Sequence, residues 1–294
     1  MTNVIFATDG SQQAEQAAKF LCRLPLVGPL NLTLLTNVFI PSHDADAADP
    51  LLKDFREHQE AEAKAYLAKA ESILSEKADS IGQQIVHGHI GHSIVEAAEA
   101  SKCDMIVMGA KGHSGIGRML LGSTSDYVAT HAPCNVIVVR GSSHHEATDP
   151  LDLTLAYNET PASQRACEEV AKLEWDASTR VHLLGVVPLF EGFSQDLMPN
   201  IVQYRTEQRV AAMRHLETGR ELFPMLRDRI SLDIIESPHV GESIVNECDK
   251  QGCDLVVVGD SRRGSISRML LGSVSRFVLR HAECSVWIAR SRPR

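Results

Sequence analysis

Residues 89–139 read HIGHSIVEAAEASKCDMIVMGAKGHSGIGRMLLGSTSDYVATHAPCNVIVV, and residues 239–289, a constant 150 positions later, read HVGESIVNECDKQGCDLVVVGDSRRGSISRMLLGSVSRFVLRHAECSVWIA. One module is therefore written twice. Within each copy a helical pattern leads into a β-branched apolar run, then a glycine-containing stretch, a second helical pattern and a second apolar run. That alternation is the signature of parallel strands joined by helical crossovers.

Working outward from the first copy, apolar runs predict strands over 3–8, 31–38, 82–87, 104–108 and 135–139. Helices are predicted over 11–24, 51–80, 92–101 and 120–132. The second half repeats the plan, with strands over 152–157, 180–186, 229–235, 254–258 and 285–289. Its helices are predicted over 161–174, 195–226, 242–251 and 270–281. The fold class expected is α/β: two tandem doubly wound domains, each a five-stranded parallel sheet of order 3-2-1-4-5 flanked by helices. The domains are read as 1–145 and 146–294, joined by the small, polar stretch GSSHHEATDP (141–150). Because the linker is short, the two modules are expected to pack together.

Local signals agree with this reading. Ser11 precedes an Ala-rich amphipathic stretch with Glu15 near its first turn, and Pro25, Gly28 and Pro29 stop that helix. The proline-bounded stretch PSHDADAADP (41–50) reads as a loop.

A chain of 294 residues has room for two ordinary cores, and a net charge of −9 with 23% charged residues argues against a non-specific nucleic-acid binder. No apolar stretch approaches the length of a membrane span, and no export signal is visible, so a cytoplasmic protein without membrane insertion is expected. The seven cysteines lack zinc-ribbon spacing, and Cys103, Cys134, Cys253 and Cys284 recur beside apolar strands, as buried reduced thiols would. His87, His89 and His92 are close in sequence and His144-His145 lie in the linker, yet nothing completes a zinc spacing, so no metal site is expected.

Ligands of open α/β sheets bind at the carboxyl ends of strands where the order reverses, here between strands one and four. Strand one ends in Ala7-Thr8-Asp9-Gly10-Ser11 and strand four in Met108-Gly109. Gly109 permits a tight exit from the strand, Gly112 removes a side chain beside a phosphate, and Gly122-Ser123 presents N–H groups at the positive end of a helix. Asp9 is also suited to capping the next helix, Gly122 to close helix packing, and Val38 to the core.

Gly109-x2-Gly112-x9-Gly122-Ser123, with Asp9 at the end of strand one, resembles the ATP-binding pattern of the nucleotide-binding branch of the universal stress protein family, in tandem form over nearly the whole chain. The resemblance implies ATP, with or without magnesium, as the ligand. It implies phosphates on Gly112, His113 and Gly122, Ser123, Thr124 and Ser125. It also implies ribose near Asp9 and Gly109, beside Met108, and adenine against Thr8 and Val38. Family dimerisation through the fifth strand implies an intramolecular pseudo-dimer here, with homodimerisation of the whole chain and protein partners left unidentified.

The second copy departs from the pattern. Asn158 stands opposite Asp9, and Arg262 stands opposite Gly112, where it would fill the cradle or attract another anion. One nucleotide in domain one is therefore expected, in a stress-response sensor or regulator. No GK[ST] ending and no obvious base accompany Lys111 and Arg118, so strong phosphoryl transfer is not indicated. The competing readings are slow ATP hydrolysis or nucleotidyl transfer using His113, and a scaffold independent of nucleotide.

Overall fold

The computed structural model describes residues 2–38, 50–112, 121–141, 150–158, 160–189, 198–260 and 271–290, with the side chains of 50–52 and 198–201 excepted. The chain divides into two compact units, Met1–Gly141 and Ser142–Ser291.

Unit 1 runs β1 (Thr2–Ala7), α1 (Gln12–Arg23), β2 (Leu30–Val38), α2 (Pro50–Leu74), β3 (Ser80–His87), α3 (Ile90–Ala100), β4 (Met105–Gly109), α4 (Ser123–His131) and β5 (Asn135–Val139). Its strands are all parallel, in the order β3-β2-β1-β4-β5. The register is fixed by Val4 opposite both Leu32 and Met105. Every residue of β4 and β5 is buried, as expected for strands covered on both faces. Phe6, Ile5, Leu34 and Ile106 are among the fully buried side chains, each stabilising the fold by about 1.5–3 kcal/mol through removal of apolar surface from water.

Unit 2 repeats the order as β6 (Leu153–Ala156), α5 (Pro161–Ala171), β7 (Val181–Pro188), α6 (Met198–Arg220), a 3-10 turn (Pro224–Arg229), β8 (Ile230–Ser237), α7 (Val240–Gln251), β9 (Leu255–Gly259), α8 (Ser273–His281) and β10 (Ser285–Ala289). Its strands lie in the order β10-β9-β6-β7-β8, the same arrangement as in unit 1. Trp287 on β10 is fully buried.

The helix starts follow from local chemistry. Ser11 caps α1 by accepting the Ala14 N–H at 3.2 Å, and Thr160 caps α5 by accepting from Ser163 N, with Pro161 at the first helical position. An aspartate ties each strand entrance. Asp104 accepts from Asn3 N at 2.8 Å in unit 1, and Asp254 accepts from Asp152 N at 3.0 Å in unit 2. The long helix α2 stops at Leu74, short of the Ser80 expected from its pattern, because Asp79 is already committed to β2. Its backbone N–H donates to Leu30 O, and its carboxylate accepts from Leu30 N at 2.7 Å. The predicted helix over 195–226 likewise ends at Arg220 and gives way to the 3-10 turn. Among the described residues no helix is long and apolar enough to cross a membrane.

Candidate functional site

In unit 1 a cleft opens between the carboxyl ends of β1 and β4. Ala7, Thr8 and Asp9 line one wall, Met108, Gly109, Lys111 and Gly112 the other, and Thr124 and Ser125 close the end at the start of α4. The sequence-predicted residues Thr8, Asp9, Met108, Gly109, Gly112, Thr124 and Ser125 are thus brought together. Gly122 and Ser123 adjoin them in the chain, and His113 lies outside the described residues. Val38 is not part of the cleft lining: its side chain is buried in the core, and Leu35, Thr36 and Asn37 supply the β2 wall instead. Ile90 and Ile94 of α3 add an apolar flank. The sequence signal for these residues was their place at the end of β2 and the start of α3, next to the strand-order reversal.

The β1 turn is shaped by two residues. Gly10 takes φ +75°, and a Cβ there would stand 2.1 Å from the Tyr66 ring, so neither the backbone conformation nor the space admits a side chain. Asp9 Oδ1 accepts from Ser11 N at 3.1 Å, while its Oδ2 faces Gly112 so closely that a Cβ on residue 112 would lie 2.3 Å from it. Gly112 therefore makes room for the Asp9 carboxylate itself. Burial, then the Glu62 and Asp9 carboxylates, holds the Tyr66 phenol above its ordinary range.

The glycines retained in both units serve packing. A Cβ on Gly109 would approach the Gln13 backbone of α1 at 3.2 Å, and one on Gly259 would meet the Ala162 carbonyl of α5 at 2.3 Å. Gly109 thus lets a helix lie close on a strand, and its φ is not in the left-handed region that a glycine-only strand exit would use. The Gly122 N–H donates to Ala110 O at 2.8 Å, so it is committed within the fold. The Ser125 hydroxyl is buried and donates to Gly109 O at 2.9 Å, a bond that Ser275 repeats with Gly259 O at 2.9 Å. The N-terminus of α4 has Gly122 as an N-cap that supplies no side-chain bond to the first-turn N–H groups of Ser123, Thr124 and Ser125, and Thr124 and Ser125 line the cleft end.

Unit 2 has the corresponding cleft between β6 and β9, closed by Ser273, Val274 and Ser275 of α8, and its N-cap Gly272 again supplies no side-chain bond. Its cavity volume is about 180 Å³ against about 70 Å³ in unit 1, and its described lining differs in chemistry. By strand register Tyr157 replaces Thr8, Asn158 replaces Asp9, Gly185 replaces Thr36 and Val186 replaces Asn37, while the repeat offset puts Val274 at Thr124. Asn158 Oδ1 is occupied by its own turn, accepting from Thr160 N at 3.0 Å and from the Thr160 hydroxyl at 2.7 Å. Arg262 lies outside the described residues.

Comparison with known proteins agrees with the duplicated architecture. The model of the Universal stress protein family matches residues 1–140 and again 153–290. A universal stress protein of Mycolicibacterium smegmatis is 25% identical over 299 residues, covering 98% of this chain and 97% of its own length. Universal stress protein Rv2624c of Mycobacterium tuberculosis is 25% identical over 292 residues, covering 99% of this chain and 97% of its own. The crystal structure of a universal stress protein from Archaeoglobus fulgidus superposes with a TM-score of 0.65 at 18% identity, over 99% of this chain and 96% of that one, which establishes the shared fold. With each half matched separately and the same sheet order built twice, the chain belongs to the universal stress protein family.

Proposed function

We propose that unit 1 binds one adenine nucleotide, ATP with or without magnesium, as the sensing element of a stress-response protein, and that unit 2 does not bind it in the same manner. The observation that carries this reading is the pairing, across one cleft, of the Asp9 carboxylate with the uncapped start of α4. The N–H groups of Ser123, Thr124 and Ser125 offer the positive end of a helix to the phosphates. Lys111 adds a cationic side chain to the same wall. Asp9 and Asn37 offer acceptors and a donor suited to ribose hydroxyls, and Ile90 and Ile94 offer an apolar surface suited to a base. Polyphosphate seated on a helix N-terminus needs no covalent chemistry from the protein. The role that fits these groups is binding, with the nucleotide altering the surface that partners read.

Nucleotide carried through purification, followed by calorimetric titration of the stripped protein with ATP, tests the proposal. Retained or titratable ATP without multiple turnover supports a binding module. Turnover that disappears in Gly112→Arg supports an enzyme, and unchanged assembly and stability with no bound nucleotide supports a scaffold.

A further inference from the structure

Unit 2 contains a cluster of side chains that the cleft does not use. Cys248 of α7, Cys253 just before β9 and Cys284 just before β10 place three sulfurs within 4.8 Å of one another. Cys253 and Cys284 are 3.5 Å apart, and all three residues are buried. Unit 1 has only the pair, Cys103 and Cys134, with their sulfurs 3.3 Å apart, and Ala98 where unit 2 has Cys248. The pair is part of the duplicated core. The third sulfur is particular to unit 2, since unit 1 carries a methyl group at the same position.

Three convergent sulfurs are soft donors, which select thiophilic ions. Zinc in a closed protein site takes four ligands, and among the described residues no fourth Cys, His, Asp or Glu joins this group. Charge then discriminates among ions content with three sulfurs. A copper(I) ion on three thiolates leaves a net charge of two minus, whereas a trivalent metalloid leaves none, and an uncompensated charge is costly at a buried site. Cys253, itself buried, borders a cleft lined by Thr154, Arg180, His182 and Gln251.

We propose that Cys248, Cys253 and Cys284 form a three-sulfur receptor for trivalent arsenic. Arsenous acid, As(OH)3, enters neutral. Each sulfur lone pair forms an As–S bond as an As–O bond breaks, and the thiol proton leaves with that hydroxide as water. Three As–S bonds replace three As–O bonds, three waters depart, arsenic stays trivalent, and nothing is oxidised or reduced.

The test is titration of the reduced full-length chain with sodium arsenite. Protein-bound arsenic is counted after desalting, and the As–S charge-transfer absorption is followed in the near ultraviolet. One arsenic per chain is expected for the wild type, none for Cys248→Ala, and two for Ala98→Cys, which builds the third sulfur into unit 1. Cys248→Ala installs the residue that unit 1 already uses, and circular dichroism checks its fold. Should it fail to fold, the gain in Ala98→Cys decides independently. Arsenic absent from the wild type, retained in a folded Cys248→Ala, or unchanged in a folded Ala98→Cys overturns the proposal. A competition with copper(I) in which copper displaces arsenite from the same three sulfurs overturns the charge argument.

Discussion

The two clefts share a frame and differ in what faces into it. Both have a glycine that lets a helix lie on the central strand, a serine hydroxyl tying the last helix back to that strand, and an uncapped helix start. Only unit 1 sets an aspartate against a glycine across the opening. In unit 2 the amide that replaces the aspartate is turned into its own loop, and threonine and asparagine positions have become tyrosine and valine. A glycine motif read as a whole thus contains two kinds of residue. Gly109 and Gly122 belong to the fold and recur as Gly259 and Gly272, whereas Gly112 faces the Asp9 carboxylate and does not recur.

That division can be broken or sharpened by substitution. The largest effect is expected from a feature of the unit 2 frame. The Asp260 and Arg290 side chains form an ion pair at 2.7 Å, 1% and 3% exposed respectively, where unit 1 carries Ala110 and Arg140. Asp260→Ala removes the carboxylate that accepts from Arg290 Nε and should cost about 3–5 kcal/mol of unit 2 stability in denaturant unfolding. A loss below about 1 kcal/mol would show that the pair is solvated.

Next comes Gly112→Arg, which copies unit 2 into unit 1. Its Cβ alone would lie 2.3 Å from Asp9 Oδ2, so ATP affinity should fall about 100-fold or more, roughly 3 kcal/mol, with little change in melting temperature. Asp9→Asn, the other half of the unit 2 change, removes the negative charge but retains an acceptor for Ser11 N. A weaker effect of about tenfold in affinity is expected, roughly 1.4 kcal/mol. Unchanged ATP binding in both variants would place the nucleotide elsewhere.

The smallest effect is electrostatic. In unit 2, hydrogen bonds from Arg205 hold Glu236 below its ordinary carboxylate range, where the unit 1 counterpart is Val86. A depressed folded-state pKa contributes stability that is present above the unfolded value near 4.5 and lost as pH falls through the depressed folded value. The pair is largely exposed, so Arg205→Ala should remove less than about 1 kcal/mol at neutral pH and nothing once the carboxylate is protonated. Urea unfolding at the two pH values distinguishes these outcomes.

Much of the architecture was legible because the repeat and the alternation of apolar runs with helical patterns are properties of the sequence itself. The ends of α2 and α6 were not legible, since Asp79 and the Pro224–Arg229 turn stop those patterns through tertiary hydrogen bonds and a local 3-10 geometry that periodicity does not encode. At the site, strand ends located Thr8, Asp9 and Met108. Val38 differs, because an apolar residue at the end of a strand carries no sign of whether it lines the cleft or packs in the core; it is buried, while Leu35, Thr36 and Asn37 line the cleft. The partner of Gly112 was hidden for a similar reason. Nothing in its spacing says that the nearest atom is the oxygen of a residue more than a hundred positions earlier.

The central claim is asymmetry, and stoichiometry tests it most directly. Calorimetric titration of nucleotide-free full-length protein with ATP should give one site per chain, abolished by Gly112→Arg and unaffected by Asn158→Ala. Two equivalent sites per chain, or one site that survives Gly112→Arg and is lost in Asn158→Ala, would contradict it.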